Sequence, residues 1–141
     1  MNRRGFSLVE LLGTITILGI LMLIGVPAVY KYVTKSQKQA YDTLQKTCYE
    51  AAQSRAIKEG LDLQTGDPPE TYYIKDLADY GYMDIPADPR KKGSVCGGNV
   101  KITLTSTGSN TGMPSYRYEV TLDCPSGSSS KTFTSDNDGM N

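Results

Sequence analysis

Gly5-Phe6-Ser7-Leu8-Val9-Glu10-Leu11-Leu12 is the stretch that decides how this chain of 141 residues is read. Arg3 and Arg4 precede it. An apolar run follows over residues 6–30, interrupted by one charge, Glu10. Over 11–30 the only ionisable group is the Tyr30 phenol. A helix needs roughly 20 apolar residues to cross the hydrocarbon core of a bilayer. The run is long enough to span a membrane, with arginines before it and Lys31 after it. A carboxylate inside such a helix is costly unless it is paired or sits near the interface. Glu10 therefore implies a partner, and in a single-pass chain that partner belongs to another molecule.

Two ordinary readings compete. A secretory signal peptide has an apolar region of about 7–15 residues and a cut site of small residues. Gly25-Val26-Pro27-Ala28 can supply such a site, but the run is longer and carries an acid. A plain membrane anchor leaves Glu10 unexplained. Arg3, Arg4 and the run Gly5-Phe6-Ser7-Leu8-Val9-Glu10-Leu11-Leu12 together resemble the processing site of type IV pilins and of the pseudopilins of type II secretion and competence systems.

The resemblance covers the N-terminal quarter of the chain and carries specific implications. A basic leader, residues 1–5, is removed after Gly5 by a prepilin peptidase. The new first residue, Phe6, is N-methylated. Glu10 neutralises the amino terminus of a neighbouring subunit and sets its register during assembly. An amine and a carboxylate attract more strongly in an apolar bundle than in water, which fits that role. Gly19 and Pro27 bracket a stretch that loses helical order in some pilin filaments. By itself, an internal proline removes one helical hydrogen bond and favours a kink.

No strong stop appears before Gly60, so one helix is expected from Phe6 to about residue 60. Its first part, 6–30, is the transmembrane or filament-core segment, and its second part, 31–60, is amphipathic. Val33, Ala40, Leu44, Cys48 and Ala51 fall at helical spacing and form a stripe that needs cover. Residues 61–93 are punctuated by glycines and prolines and read as a connecting region, variable in the family. A short strand is expected at Tyr72-Tyr73-Ile74 and a helical turn or two over 74–80. Tyr72, Tyr73, Tyr80 and Tyr82 are expected to pack on the helix. Arg90-Lys91-Lys92 reads as a solvated turn, with a nucleic-acid or surface contact left open.

Two segments alternate apolar and polar residues, 100–105 and 116–124, which predicts an antiparallel pair with one buried face. Val100, Ile102 and Leu104 face inward with Tyr118, Val120 and Leu122. Residues 131–134 add a third strand. The expected fold is α+β, a long N-terminal helix under a small antiparallel sheet at 94–135, followed by a polar tail at 136–141. Cys96 precedes the first strand and Cys124 ends the second, and such ends meet in a hairpin. A Cys96–Cys124 disulfide is expected, worth ~3–4 kcal/mol in the loop-entropy picture. Cys48 then stays as a small buried apolar residue. A bridge from Cys48 to one of the other two is the competing arrangement.

Composition narrows the function. Lys and Arg number 15 against 15 Asp and Glu, and loss of Arg3 and Arg4 tips the balance mildly acidic. No bulk electrostatic case for nucleic acid follows. There is no His, so the commonest general base and metal ligand is missing. No enzyme motif is recognisable, and neither a cofactor nor a metal is expected. Asp136-Asn137-Asp138-Gly139 resembles part of a calcium loop without its closing glutamate. The resemblance implies a non-enzymatic subunit of a type IV pilus or similar filament serving adhesion, motility or colonisation. The alternatives are a pseudopilin for secretion or DNA uptake, and a membrane-anchored binding domain that does not polymerise. Identical subunits, the peptidase/methyltransferase, an inner-membrane assembly platform and the membrane itself are the implied partners. The implied location is the cytoplasmic membrane, with the head outside, and then the cell-surface filament.

Overall fold

Leucine is the commonest residue among the first sixty, and glycines and Pro27 are the strongest helix breakers there. The chain responds with one helix, α1 (Leu8–Glu59), that carries Pro27 inside it. The computed structural model describes residues 5–107 and 114–135. Arg3, Arg4, the 108–113 part of the hairpin loop and the 136–141 tail lie outside the described residues.

Both ends of α1 are locally determined. Ser7 precedes the helix, and its carbonyl accepts the Leu11 N–H at 3.1 Å. At the other end Gly60 adopts φ 68°. The Gly60 N–H donates to the Ile57 carbonyl at 3.2 Å and the Leu61 N–H to the Ala56 carbonyl at 2.8 Å. This is the Schellman closure, which favours glycine because the position needs a left-handed backbone.

The chain divides into two units, Met1–Lys38 and Gln39–Asn141. In the first, residues 5–36 are exposed without exception. Among the described residues α1 is the one helix long and apolar enough to cross a membrane.

The second unit holds the core. Its elements after α1 are β1 (Glu70–Tyr73), α2 (Ile74–Asp79), β2 (Gly97–Ser106), β3 (Ser115–Cys124) and β4 (Gly127–Thr134). The strands form one antiparallel sheet in the order β1-β2-β3-β4. Val100 pairs with Val120 and Ile102 with Tyr118. All four are buried, with Leu122, against Cys48, Tyr49, Ala52 and Ala56 of α1. Ile74 and Leu77 of α2 close the same core. The expected inward set is present, with Leu104 half-buried at its margin.

The buried stripe of α1 differs in part from the expected one. It runs through Tyr41, Gln45, Cys48, Tyr49, Ala51, Ala52 and Ala56, so that Cys48 and Ala51 belong to both, while Val33 is exposed and Ala40 and Leu44 are half-buried. A hydropathy count passes over Tyr41 and Gln45 because each carries a polar end. Here those ends have partners, since the Gln45 amide donates to the Ser129 hydroxyl at 3.1 Å and Tyr41 joins the cluster described below.

The sheet also has more strand than the alternation showed. β1, the short strand expected at Tyr72-Tyr73-Ile74, joins it through Tyr72↔Val100 but starts at Glu70, and Ile74 opens α2 instead. β4 begins four residues before the expected 131, in a serine run of poor strand propensity. Pairing with β3 forces that run into register, with Ser129 opposite Leu122. Ser129, Lys131 and Phe133 alternate along β4 and each meets α1. The Lys131 ammonium lies 3.3 Å from Asp42, and Phe133 stacks on Tyr49 with centroids 4.9 Å apart.

The tyrosines of the connecting region divide. Tyr72 is buried and Tyr82 half-buried, with Lys58 of α1 over its ring, while Tyr73 and Tyr80 are exposed. Tyr72 and Tyr80 still grip α1 through Arg55, whose guanidinium lies 4.5 and 4.8 Å from their ring centroids. Arg55 also donates to Glu59 at 2.9 Å.

The structure joins Cys96 to Cys124, with Cα atoms 4.2 Å apart. Both stand just beyond or at the last paired positions of the β2–β3 ladder, next to Gly97↔Asp123. Cys48 is free and buried. Burial pushes its thiol pKa up to about 11, which keeps it protonated.

Asp88 gathers the lower end of this unit. One carboxylate oxygen accepts from the Ser126 hydroxyl at 2.7 Å, the Arg90 N–H at 2.9 Å, and the Lys91 N–H and Tyr41 hydroxyl at 3.3 Å each. The other accepts from the Ser126 N–H at 3.0 Å. The Arg90 guanidinium covers the Tyr41 ring. Burial alone would raise the Asp88 carboxyl pKa; the bonds from Ser126, Arg90 and Tyr41 outweigh it and hold the group below the usual carboxylate range. A lowered folded pKa contributes stability that is complete above the unfolded value, about 3.8, and is lost as pH falls through the folded one. Asp88→Asn should therefore melt below wild type at neutral pH, and the gap should close as pH drops below about 4. Melting curves of the full chain in detergent at a series of pH values check this. A gap independent of pH would remove Asp88 from the account.

Candidate functional site

The residues singled out in the sequence lie at the start of α1. Ser7 is its N-cap and Glu10 its third residue. The Glu10 carboxylate reaches back to accept the Ser7 N–H at 3.4 Å. Ser-x-x-Glu at a helix start is the capping-box arrangement, in which the acid satisfies a backbone donor left over by the helix. Its negative charge also faces the positive end of the helix dipole. So within a single chain Glu10 has a partner, but a weak one, and the side chain is exposed.

Phe6 and Gly5 precede the helix outside any regular element, and both are exposed. A β-carbon at Gly5 would meet nothing within 4 Å. Among the described residues no neighbour requires glycine there. The geometry leaves the Gly5–Phe6 peptide bond accessible. It also sets the Glu10 carboxylate at the helix N-terminus, where it reaches the Ser7 N–H.

Gly19 and Pro27 lie inside α1, and the stretch between them is helical. A β-carbon at Gly19 would also find open space. Pro27 has no N–H to offer the Leu23 carbonyl one turn back. Thr14 and Thr16, the polar side chains that follow Glu10 in the apolar run, return their hydroxyls to helix carbonyls at 2.8 Å. Their polarity is absorbed by the backbone, which leaves Glu10 as the one charge of the segment. Cys96 and Cys124 are bridged in the second unit, as described above. Asp136 and its neighbours lie outside the described residues. Among the described residues no group of three or more metal-binding side chains is found.

Hydropathy reasoning missed the Asp88 cluster and the Arg55 stack. Asp88-Pro89 is a turn signature, with an acid that accepts from the backbone and a proline that fixes the next φ. That signal was present in the sequence, but its distant partners Tyr41 and Ser126 were not.

The family described as the prokaryotic N-terminal methylation motif matches residues 1–26. The competence protein ComGC of Bacillus subtilis (strain 168) is 35% identical over 105 residues, which cover 74% of this chain and 92% of that protein. No solved structure matches. An exposed apolar helix opening on Gly-Phe-Ser-Leu-Val-Glu, a small antiparallel sheet packed on its later turns, and a relative aligned over nearly its whole length agree with one another. The chain belongs to the type IV pilin and pseudopilin family.

Proposed function

We propose that this chain is a subunit of a pilin-like filament that serves DNA uptake. The similarity to a competence protein over 92% of that protein's length carries this reading. It favours the competence alternative over an adhesive or motile pilus, for which no comparable observation exists. In this proposal Arg3 and Arg4 keep the leader on the cytoplasmic side, as basic flanks do. Peptidase cleavage falls between Gly5 and Phe6, Phe6 is methylated, and the head stands outside. An assembly platform in the membrane then moves subunits from lipid into a bundle of identical helices. Glu10 meets the amine of a neighbouring Phe6, where apolar surroundings strengthen the pair. The 19–27 stretch, with its open glycine and its missing hydrogen bond, is where α1 gives way if the bundle requires it.

Deletion of the gene in the parent cell, with complementation, tests this. Transformation by added duplex DNA should fall to background and return with the wild-type gene. Gly5→Trp should not restore it, and its product should retain Met1 by N-terminal mass. Loss of adhesion, motility or secretion with transformation intact would overturn the DNA-uptake assignment. Normal cleavage of Gly5→Trp would overturn the cleavage site.

A further inference from the structure

We propose that the Asp88 carboxylate is the positioning group that brings Cys96 and Cys124 together for oxidation. Both cysteines are held relative to Asp88 by short paths. On one side, residues 86–96 fold back on themselves. The Asp88 N–H donates to the Ser94 carbonyl at 2.8 Å and the Cys96 N–H to the Pro86 carbonyl at 2.7 Å, and Ala87 bridges Val95. Cys96 is thereby fixed to the turn that carries Asp88. On the other side, Ser126 is two residues beyond Cys124 and gives Asp88 both its N–H and its hydroxyl. One buried carboxylate thus ties the two cysteine-bearing segments before any covalent bond exists between them.

The sheet alone holds these ends weakly. The ladder stops at Gly97↔Asp123, and the two residues after Cys96 are both glycine. Glycine in a strand lacks a side chain to pack and costs backbone entropy on ordering. On its β2 side, the end of the hairpin that must present the thiols therefore lacks side-chain support, and the Asp88 bonds act there.

The reaction served is thiol–disulfide exchange with a small disulfide oxidant. One cysteine thiolate attacks the oxidant and releases one thiolate, leaving a mixed disulfide. The second cysteine thiolate displaces the other half of the oxidant. Two electrons pass to the oxidant, and its two released thiolates take up the two thiol protons. Exchange is faster when the second thiol is already in place. Cys48, buried and protonated, stays out of the exchange.

The test uses the full chain in detergent, reduced and then exposed to oxidised glutathione, with samples alkylated and weighed over time. Asp88→Asn should close the Cys96–Cys124 bridge roughly tenfold more slowly than wild type and accumulate the glutathione-mixed disulfide. Ser126→Ala, which removes one of the two Ser126 donors, should fall between them. Arg55→Ala, which loosens the opposite end of the unit, is the control for general destabilisation. Its bridge should form faster than that of Asp88→Asn when the two are compared at temperatures equally far below their melting points. Asp88→Asn and Ser126→Ala both closing at the wild-type rate, or Asp88→Asn no slower than Arg55→Ala under matched conditions, would overturn the proposal. The outcome is independent of whether the chain builds filaments.

Discussion

Glu10→Val is expected to be cut and methylated normally and to yield almost no filament. Valine suits the apolar run, so insertion in the membrane should not suffer. Within the single chain the loss is a capping contact at the Ser7 N–H, worth about 0.5–1 kcal/mol for an exposed helix end. In an assembled bundle the loss is larger. There the freed Phe6 amine would be left charged in an apolar setting, and removing one partner of a buried pair costs about 3–5 kcal/mol. Spread over each subunit added, that lowers the affinity of every addition by roughly two to four orders of magnitude. Filament sheared from cells and quantified against membrane-bound subunit gives the result, with intact mass confirming the processed N-terminus. Glu10→Gln separates the two roles, because it keeps an acceptor for Ser7 and loses the charge. Filament yield at wild-type level in the Val variant would end the assembly role for Glu10. Full yield in Gln with none in Val would assign the residue to capping rather than to charge.

Gly98→Ala is expected to be among the most damaging small substitutions in the second unit. Gly98 sits in β2 at φ 129°, where side chains are rarely accommodated. A β-carbon there would lie 2.0 Å from the Thr121 carbonyl oxygen and 3.2 Å from Leu122 Cα. Both neighbours are backbone, so neither can rotate aside. Relief requires β2 to move off β3 beside the Cys96–Cys124 bridge, at the pair Gly98↔Leu122. Backbone strain and a broken ladder together should cost about 3 kcal/mol or more. For a unit of this size that lowers the melting temperature by on the order of 10–20 °C. Gly97→Ala is the matched comparison. A β-carbon at Gly97 meets nothing within 4 Å, and the change should cost little. Equal melting temperatures for the two variants would show that β2 relaxes freely at Gly98.

Sequence alone determined the features that depend on local rules. Twenty-odd apolar residues with one acid define a membrane-length helix without reference to anything else in the chain. Gly60 marks where that helix ends, because a helix end is satisfied by residues within one turn; its start lies at Leu8 rather than at the expected Phe6. Alternation located β2 and β3, and the ends of those strands indicated the Cys96–Cys124 pair. The resemblance of the first dozen residues to a processing site carried the family, since that motif is contiguous.

Tertiary structure decided everything that required a partner far along the chain. Tyr41 and Gln45 are buried only because Asp88, Ser126 and Ser129 receive their polar ends. The serine run of β4 is a strand only because β3 supplies its hydrogen bonds. Gly98 looks no different from Gly97 in sequence, and what separates them is a carbonyl on the neighbouring strand. Burial of a polar group is favourable only when its hydrogen bonds are met. The identity of the group that meets them is set by packing, which a linear pattern does not encode.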